Sequence, residues 1–257
     1  MSFHYARFRF GARAMEALPP QIRKSVRRFR QLYDVGLHGP ELFRFPGALG
    51  AISASNVVKK YHGQSGKVFF ERAGRMLRLH PSEGATAYLY GLLACYALRS
   101  LTEPYLSRQG GRRAAVEMEF DRYLLVMDKK GPPHLFDRSS HIRLTPGECG
   151  TVASFFPPAS SGLVEGCTKT MADRIRALAL PAGLRRQVLE RSLESAGKDP
   201  AGVLMPTRGP ALPPVSDGDL TRLFELAERR FAVLAEQMGA YLRRGTPLGA
   251  DFSGEFF

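Results

Sequence analysis

The sequence predicts one all-α, multi-helix domain, and three observations point to it. Apolar residues recur with helical spacing, most cleanly at Leu220, Leu223, Phe224, Ala227, Phe231, Leu234, Ala235, Met238, Tyr241 and Leu242. The stretch ATAYLYGLLACYALRS at 85–100 is apolar around its whole circumference, as a helix at the centre of a bundle must be. No run alternates apolar and polar residues with the period of two that a half-buried strand needs.

Residues 11–18 begin a short helix that Pro19-Pro20 punctuates. Pro20 opens a second helix to about residue 33, since its missing N–H is one the first turn would leave unpaired anyway. Residues 36–50, GLHGPELFRFPGALG, hold four glycines and two prolines and read as an irregular loop. A helix from Ser65 places Val68, Phe69, Ala73, Met76 and Leu77 on one face. The central apolar helix follows, then an amphipathic one over Arg113–Met127. Thr145-Pro146-Gly147-Glu148 has the spacing of a capping box with proline at the first helical position, so a helix starts there. Residues 184–193 form another. Residues 197–218 are too rich in Pro and Gly for regular structure and read as a linker or an ordered loop over a pocket. Residues 1–160 are read as the helical core, and 161–257 as a helical extension packed on the same domain.

With 257 residues the chain can bury a substantial core. Its formal net charge of +13 suits anionic partners, phospholipid headgroups before nucleic acid, and an anionic membrane surface is a further partner of the same kind. The three cysteines, Cys95, Cys149 and Cys167, show no C-x-x-C spacing and are odd in number, as expected of free thiols in a reducing cytoplasm. The first residues, MSFHYARFRFGARAM, carry arginines and lack the apolar stretch of a signal peptide. The run at 85–98 is shorter than the ~20 apolar residues that span a bilayer. G-x-S-x-G, Walker, G-x-G-x-x-G and H-E-x-x-H motifs are all missing, which excludes the common hydrolase, nucleotide and metalloprotease signatures.

Five segments carry a more specific signal: YARFRFG at 5–11, GLHGPELF at 36–43, HGQSG at 62–66, YLYGLLACYALRSLTEPY at 88–105 and VEMEFDRYLLVMD at 116–128. In order and spacing the set resembles the bacterial zinc-dependent phospholipase C family, whose helical fold is shared with fungal zinc nucleases. The resemblance covers residues 1–130 and fades beyond 160. It implies a cleft in which His and carboxylate side chains hold zinc ions and a metal-bound water attacks a phosphate ester.

Carried onto this chain, the family's ligand positions are largely altered. The N-terminal histidine falls on Arg7, and the aspartate after Gly-Pro becomes Glu41. The histidine ahead of Ser-Gly remains as His62. In the central helix a His and an Asp one turn apart become Cys95 and Arg99, and the histidine before Pro-Tyr becomes Glu103. The H-x-x-x-E pair of the next helix becomes Arg113 and Glu117. Guanidinium has no lone pair to give and stays protonated to a pH above about 12, so it repels a metal ion rather than binding one.

The resemblance therefore implies a relative with a degenerate zinc site and no cofactor, in which Arg7, Arg99 and Arg113 neutralise Glu41, Glu103 and Glu117. Its Arg-lined cleft would bind a phosphate-bearing small molecule or a phospholipid headgroup. The alternative is an active phosphoric ester hydrolase with one zinc or other divalent metal on His62, Glu41 and Glu117. A third reading is a basic protein that binds nucleic acid or a membrane surface through net charge.

Blander readings stand beside these. Arg113 and Glu117 have the spacing of an ordinary helix-surface pair. Cys95 suits a small core position, although a Cys95–His62 nucleophile is also conceivable. His62 reads equally as a helix-end residue, His38 as a structural hydrogen-bonding group, and His134 and His141 as loop residues.

Overall fold

An apolar helix can be buried on every side only if other helices surround it, and that is the architecture of this chain. The computed structural model describes residues 3–47, 50–207 and 217–256. Eleven α-helices follow one another among them: α1 (His4–Ala14), α2 (Pro20–Arg28), α3 (Arg30–Gly36), α4 (Ala51–Tyr61), α5 (Gly66–Leu79), α6 (Glu83–Ser107), α7 (Arg113–Met127), α8 (Pro146–Phe155), α9 (Ser161–Ala177), α10 (Leu184–Ser195) and α11 (Asp217–Arg244). No strand occurs among the described residues; a single antiparallel bridge joins Ser65 to Glu255.

Helix α6 is the axis. Every residue from Ala87 to Leu98 is buried, and α3, α11 and α2 make the most extensive contacts with it. The crossing of α3 and α6 is too close for side chains. A Cβ on Gly36 would sit 2.9 Å from the Cα of Gly91, and one on Gly91 would sit 2.2 Å from the carbonyl oxygen of Tyr33. Glycine at both positions sets the depth at which the chain after α3 meets α6. Helix α11 buries Leu220, Phe224, Ala227, Phe231, Leu234, Ala235, Met238 and Tyr241, the face its periodicity predicts. Thr145 and Glu148 make both arms of the predicted capping box at the start of α8.

Several local expectations need correction. Helix α1 begins at His4 rather than Gly11, because its first N–H groups are capped from a distance: Asp121 of α7 accepts from the backbones of His4, Tyr5 and Ala6 at 3.0, 3.2 and 2.8 Å. The helix expected over 20–33 is two, broken at Phe29, whose backbone leaves the helical region at φ −111° and ψ 47°. The loop expected over 36–50 contains a 3-10 helix, Gly39–Arg44. Val68 is 55 % exposed, so the buried face of α5 is carried by Phe69, Phe70, Ala73 and Leu77. In the Pro/Gly-rich stretch, Pro200–Gly202 is a 3-10 turn, residues 208–216 lie outside the described residues, and 217 and 218 already belong to α11.

The end of the described chain returns to the core. Phe252 and Phe256 are buried, and Phe256 stacks on Phe69 with ring centroids 3.6 Å apart. Burying an aromatic ring of this size contributes about 2–3 kcal/mol. The backbone of Gly66 donates to Gly254 at 2.8 Å, and that of Phe256 donates to Gln64 at 2.7 Å. Helices α9 and α11, from the expected extension, pack against α8 and α6. Cys95, Cys149 and Cys167 are free thiols, all buried. No helix among the described residues is long and apolar enough to cross a membrane.

Candidate functional site

Four segments converge beside α6. Helix α1, fixed by Asp121 at its N-terminus, brings in Arg7. The turn after α3 brings His38, Glu41 and Arg44. At Gly39 in that turn φ is +56°, a left-handed conformation that favours glycine, and a Cβ there would lie 3.0 Å from the Sγ of Cys95. Helix α6 offers Cys95, Arg99 and Glu103, which stand one turn apart and so share one face. Helix α7 adds Arg113 and Glu117.

These residues enclose a cavity of about 300 Å³ lined by Arg7, His38, Pro40, Glu41, Arg44, Cys95, Arg99, Glu103 and Arg113. Six of the eight positions named from the resemblance line it; His62 does not. Glu117, also outside the wall, is buried and accepts from Arg113 Nε at 3.2 Å. Two linked charge clusters result. Arg7 is hydrogen-bonded through Nη1 to Glu41 Oε2, both side chains being largely out of water. Arg113 grips Glu103 with both terminal nitrogens, at 2.5 and 2.9 Å, the paired geometry in which guanidinium holds carboxylate best. Arg99 reaches Glu103 at 4.0 Å and donates to the carbonyl oxygen of Phe256 at 3.4 Å. The charge on the central helix, 26 % exposed, thus has a carboxylate neighbour one turn away.

The electrostatics follow from the pairing. Burial alone would lower the pKa of Arg7, but Glu41, Cys95 and Glu117 outweigh it and raise the value, so the guanidinium stays charged. The hydrogen bonds from Arg113 hold Glu103 below the usual carboxylate range, with burial opposing. Burial pushes the Cys95 thiol up, more than the nearby Arg7 and Arg99 pull it down. Cys95 is therefore a neutral thiol at pH 7, which argues against a nucleophilic role.

The single-metal alternative places its ligands on His62, Glu41 and Glu117. His62 is the exposed residue that ends α4 and is not part of the cavity wall. No group of three or more His, Cys, Asp or Glu side chains among the described residues is placed to hold a metal ion, so His62, Glu41 and Glu117 do not come together as ligands. The carboxylates are engaged by arginines instead. Cys95 is buried in the cavity wall, whereas His62 is exposed and outside it.

Some of the site was missed at the level of sequence. Arg44 and His38 line the cavity, and His38 is tied to His141 through their Nε2 atoms at 2.8 Å. His4 lies beside them, 5.7 Å from His38 between ring centroids. The structural hydrogen bond expected of His38 is thus made to a residue read as an ordinary loop histidine. Asp121, which carries no motif of its own, holds α1 in place and lies 3.5 Å from Arg138.

No family model, curated protein or solved structure matches this chain. The phospholipase C resemblance accordingly rests on the five quoted segments.

Proposed function

We propose that the protein is a non-catalytic binder of small phosphate-bearing molecules, a divergent relative of the zinc-dependent phospholipases C in which arginines have replaced the metals. One observation carries this reading: four guanidinium groups, Arg7, Arg44, Arg99 and Arg113, converge on one small cavity against the carboxylates of Glu41 and Glu103. The wall is net cationic, and guanidinium matches phosphoryl oxygens in both charge and planar hydrogen-bond geometry. Three of the four stand where the resemblance implies metal ligands, and none of the three has a lone pair to donate. The residues present do not fit a zinc cluster. Their ion pairs with Glu41, Glu103 and Glu117 neutralise the carboxylates, as cations would in a metal site.

Calorimetric titration with methyl phosphate tests the reading, alongside elemental analysis and an assay on a generic phosphodiester. The expected result is saturable binding that weakens about tenfold in Arg99→Gln, the order of effect of one charge-assisted hydrogen bond, with no turnover. Failure of methyl phosphate to bind overturns the proposal. So does metal-dependent turnover, which would restore the hydrolase reading. A dissociation constant that ignores the cavity variant and tracks only salt concentration would favour a surface binder acting through net charge.

A further inference from the structure

Two residues of the cavity wall each keep one buried polar atom that has no hydrogen-bond partner among the described residues: Oε1 of Glu41 and Nδ1 of His38. Both residues belong to the same turn and both line the cavity. Glu41 is 4 % exposed and His38 is fully buried. Neither is free to turn to solvent for compensation. Glu41 is held through its other oxygen by Arg7, and His38 through its other nitrogen by His141.

The two halves of the wall make different chemical demands. Arginine has only donors, so in a ligand the guanidiniums can engage only an acceptor such as a phosphoryl oxygen. An ionised carboxylate has only acceptors, so Glu41 Oε1 requires a donor. A bare phosphate dianion would meet the first demand and set like charge against the second. His38 Nδ1 can donate or accept according to its tautomer and discriminates against neither. We propose that the cavity selects phosphate monoesters that carry a hydroxyl or ammonium group close to the phosphoryl group, with the anion on the arginines and the donor on Glu41 Oε1. The inference rests on the phosphate reading above and adds what the ester must carry. The volume is in keeping: about 300 Å³ is the lower end of small-molecule sites, room for a phosphoryl group with a short substituent.

The experiment compares three esters that differ at one terminal group: n-propyl phosphate (methyl), 2-hydroxyethyl phosphate (hydroxyl) and 2-aminoethyl phosphate (ammonium). Each is titrated calorimetrically into the wild-type protein and into Glu41→Gln, whose far-ultraviolet dichroism and thermal melt are checked first. In the wild type at least one donor-bearing ester binds about tenfold or more tightly than the propyl ester, as expected when a buried acceptor gains its partner. In Glu41→Gln, whose amide can turn a donor towards the ligand, that preference disappears. Equal dissociation constants for all three esters in the wild type overturn the inference, an ordered water then serving Oε1 equally in each complex, and leave the phosphate reading standing. No binding of any ester overturns both. If the variant does not fold, the wild-type series alone decides.

Discussion

Two polar clusters are buried side by side in this protein, joined at His38, and they manage charge in opposite ways. In the cavity wall every carboxylate is met by a guanidinium. In the neighbouring cluster His4, His38 and His141 lie against one another, the His38 and His141 rings stacked with centroids 5.1 Å apart and His141 4.8 Å from the ring of Phe8. All three imidazoles are held below their ordinary pKa, by burial first and then by neighbouring groups: Arg138 and Arg7 at His4, His141 and Arg7 at His38, Arg30 at His141. The Nε2–Nε2 bond needs one ring to donate and the other to accept, so the acceptor is neutral, and the lowered pKa values keep the donor neutral as well. One cluster stays folded by pairing its charges and the other by having none. Breaking a pair in the first, or adding a proton to the second, should therefore fail in distinguishable ways.

The largest effect is expected at Arg7. Replacing it with Met leaves the buried Glu41 side chain without its paired guanidinium, which costs about 3–5 kcal/mol. Removing both partners, in Arg7→Met with Glu41→Leu, should recover most of that loss, because an apolar pair of similar volume is tolerated where a lone charge is not. Urea denaturation of the two variants decides the matter. A single variant within about 1 kcal/mol of wild type would show that the pair is effectively solvated.

The histidine cluster gives the next effect, and it depends on pH. An unfolded imidazole takes up a proton below about pH 6.5, whereas burial holds the folded His141 down to about 3. Unfolding therefore binds one extra proton at this ring across that window, and its contribution to stability is lost as pH falls, at about 1.4 kcal/mol per unit. His4 and His38 act in the same direction. Asp34 and Asp121, both raised to about 6 by burial, protonate first in the folded state and oppose them. Replacing His141 with Gln keeps a hydrogen-bonding side chain towards His38 and isolates one ring. The variant's stability should fall less steeply between pH 6 and 4, by about 1.4 kcal/mol per unit. An unchanged slope would mean that the folded ring already titrates freely.

What could be read from the sequence follows the range of the interactions involved. Helix α11, the capping box at Thr145 and the buried circumference of α6 depend on residues within one or two turns, and all three were legible. Helix α9 was not read from the sequence, although Val164, Cys167, Thr168, Met171, Ala172 and Ile175 keep helical spacing, because its Gly and Thr content hides that pattern. Helix α1 could not be delimited, because its cap is a carboxylate more than a hundred positions away. The arginine–carboxylate pairs came from positions supplied by a resemblance; helical spacing alone gives Arg113 with Glu117 but never Arg7 with Glu41. The three-histidine cluster had no sequence signal, since its members lie on α1, the turn after α3 and the loop before α8.

The smallest effect distinguishes two pairs of the same chemistry within the cavity. Glu103 and Arg113 are joined by two hydrogen bonds, yet their side chains are 34 % and 33 % exposed, against 5 % for Glu41. Water near the mouth screens the attraction and replaces lost partners, so Glu103→Gln should cost no more than about 1 kcal/mol at pH 7. Because Arg113 holds the Glu103 carboxyl below its usual value, that contribution is present above the unfolded pKa of about 4.3 and fades as pH falls through the folded one. Salt provides the sharper discrimination. Raising ionic strength to about 1 M shortens the screening length to about 3 Å, which should abolish the Glu103→Gln effect and leave most of the Arg7→Met effect in place. Equal salt sensitivity in the two variants would mean that the cavity is uniformly wet, and that the depth of Glu41, on which its demand for a donor depends, has no energetic consequence.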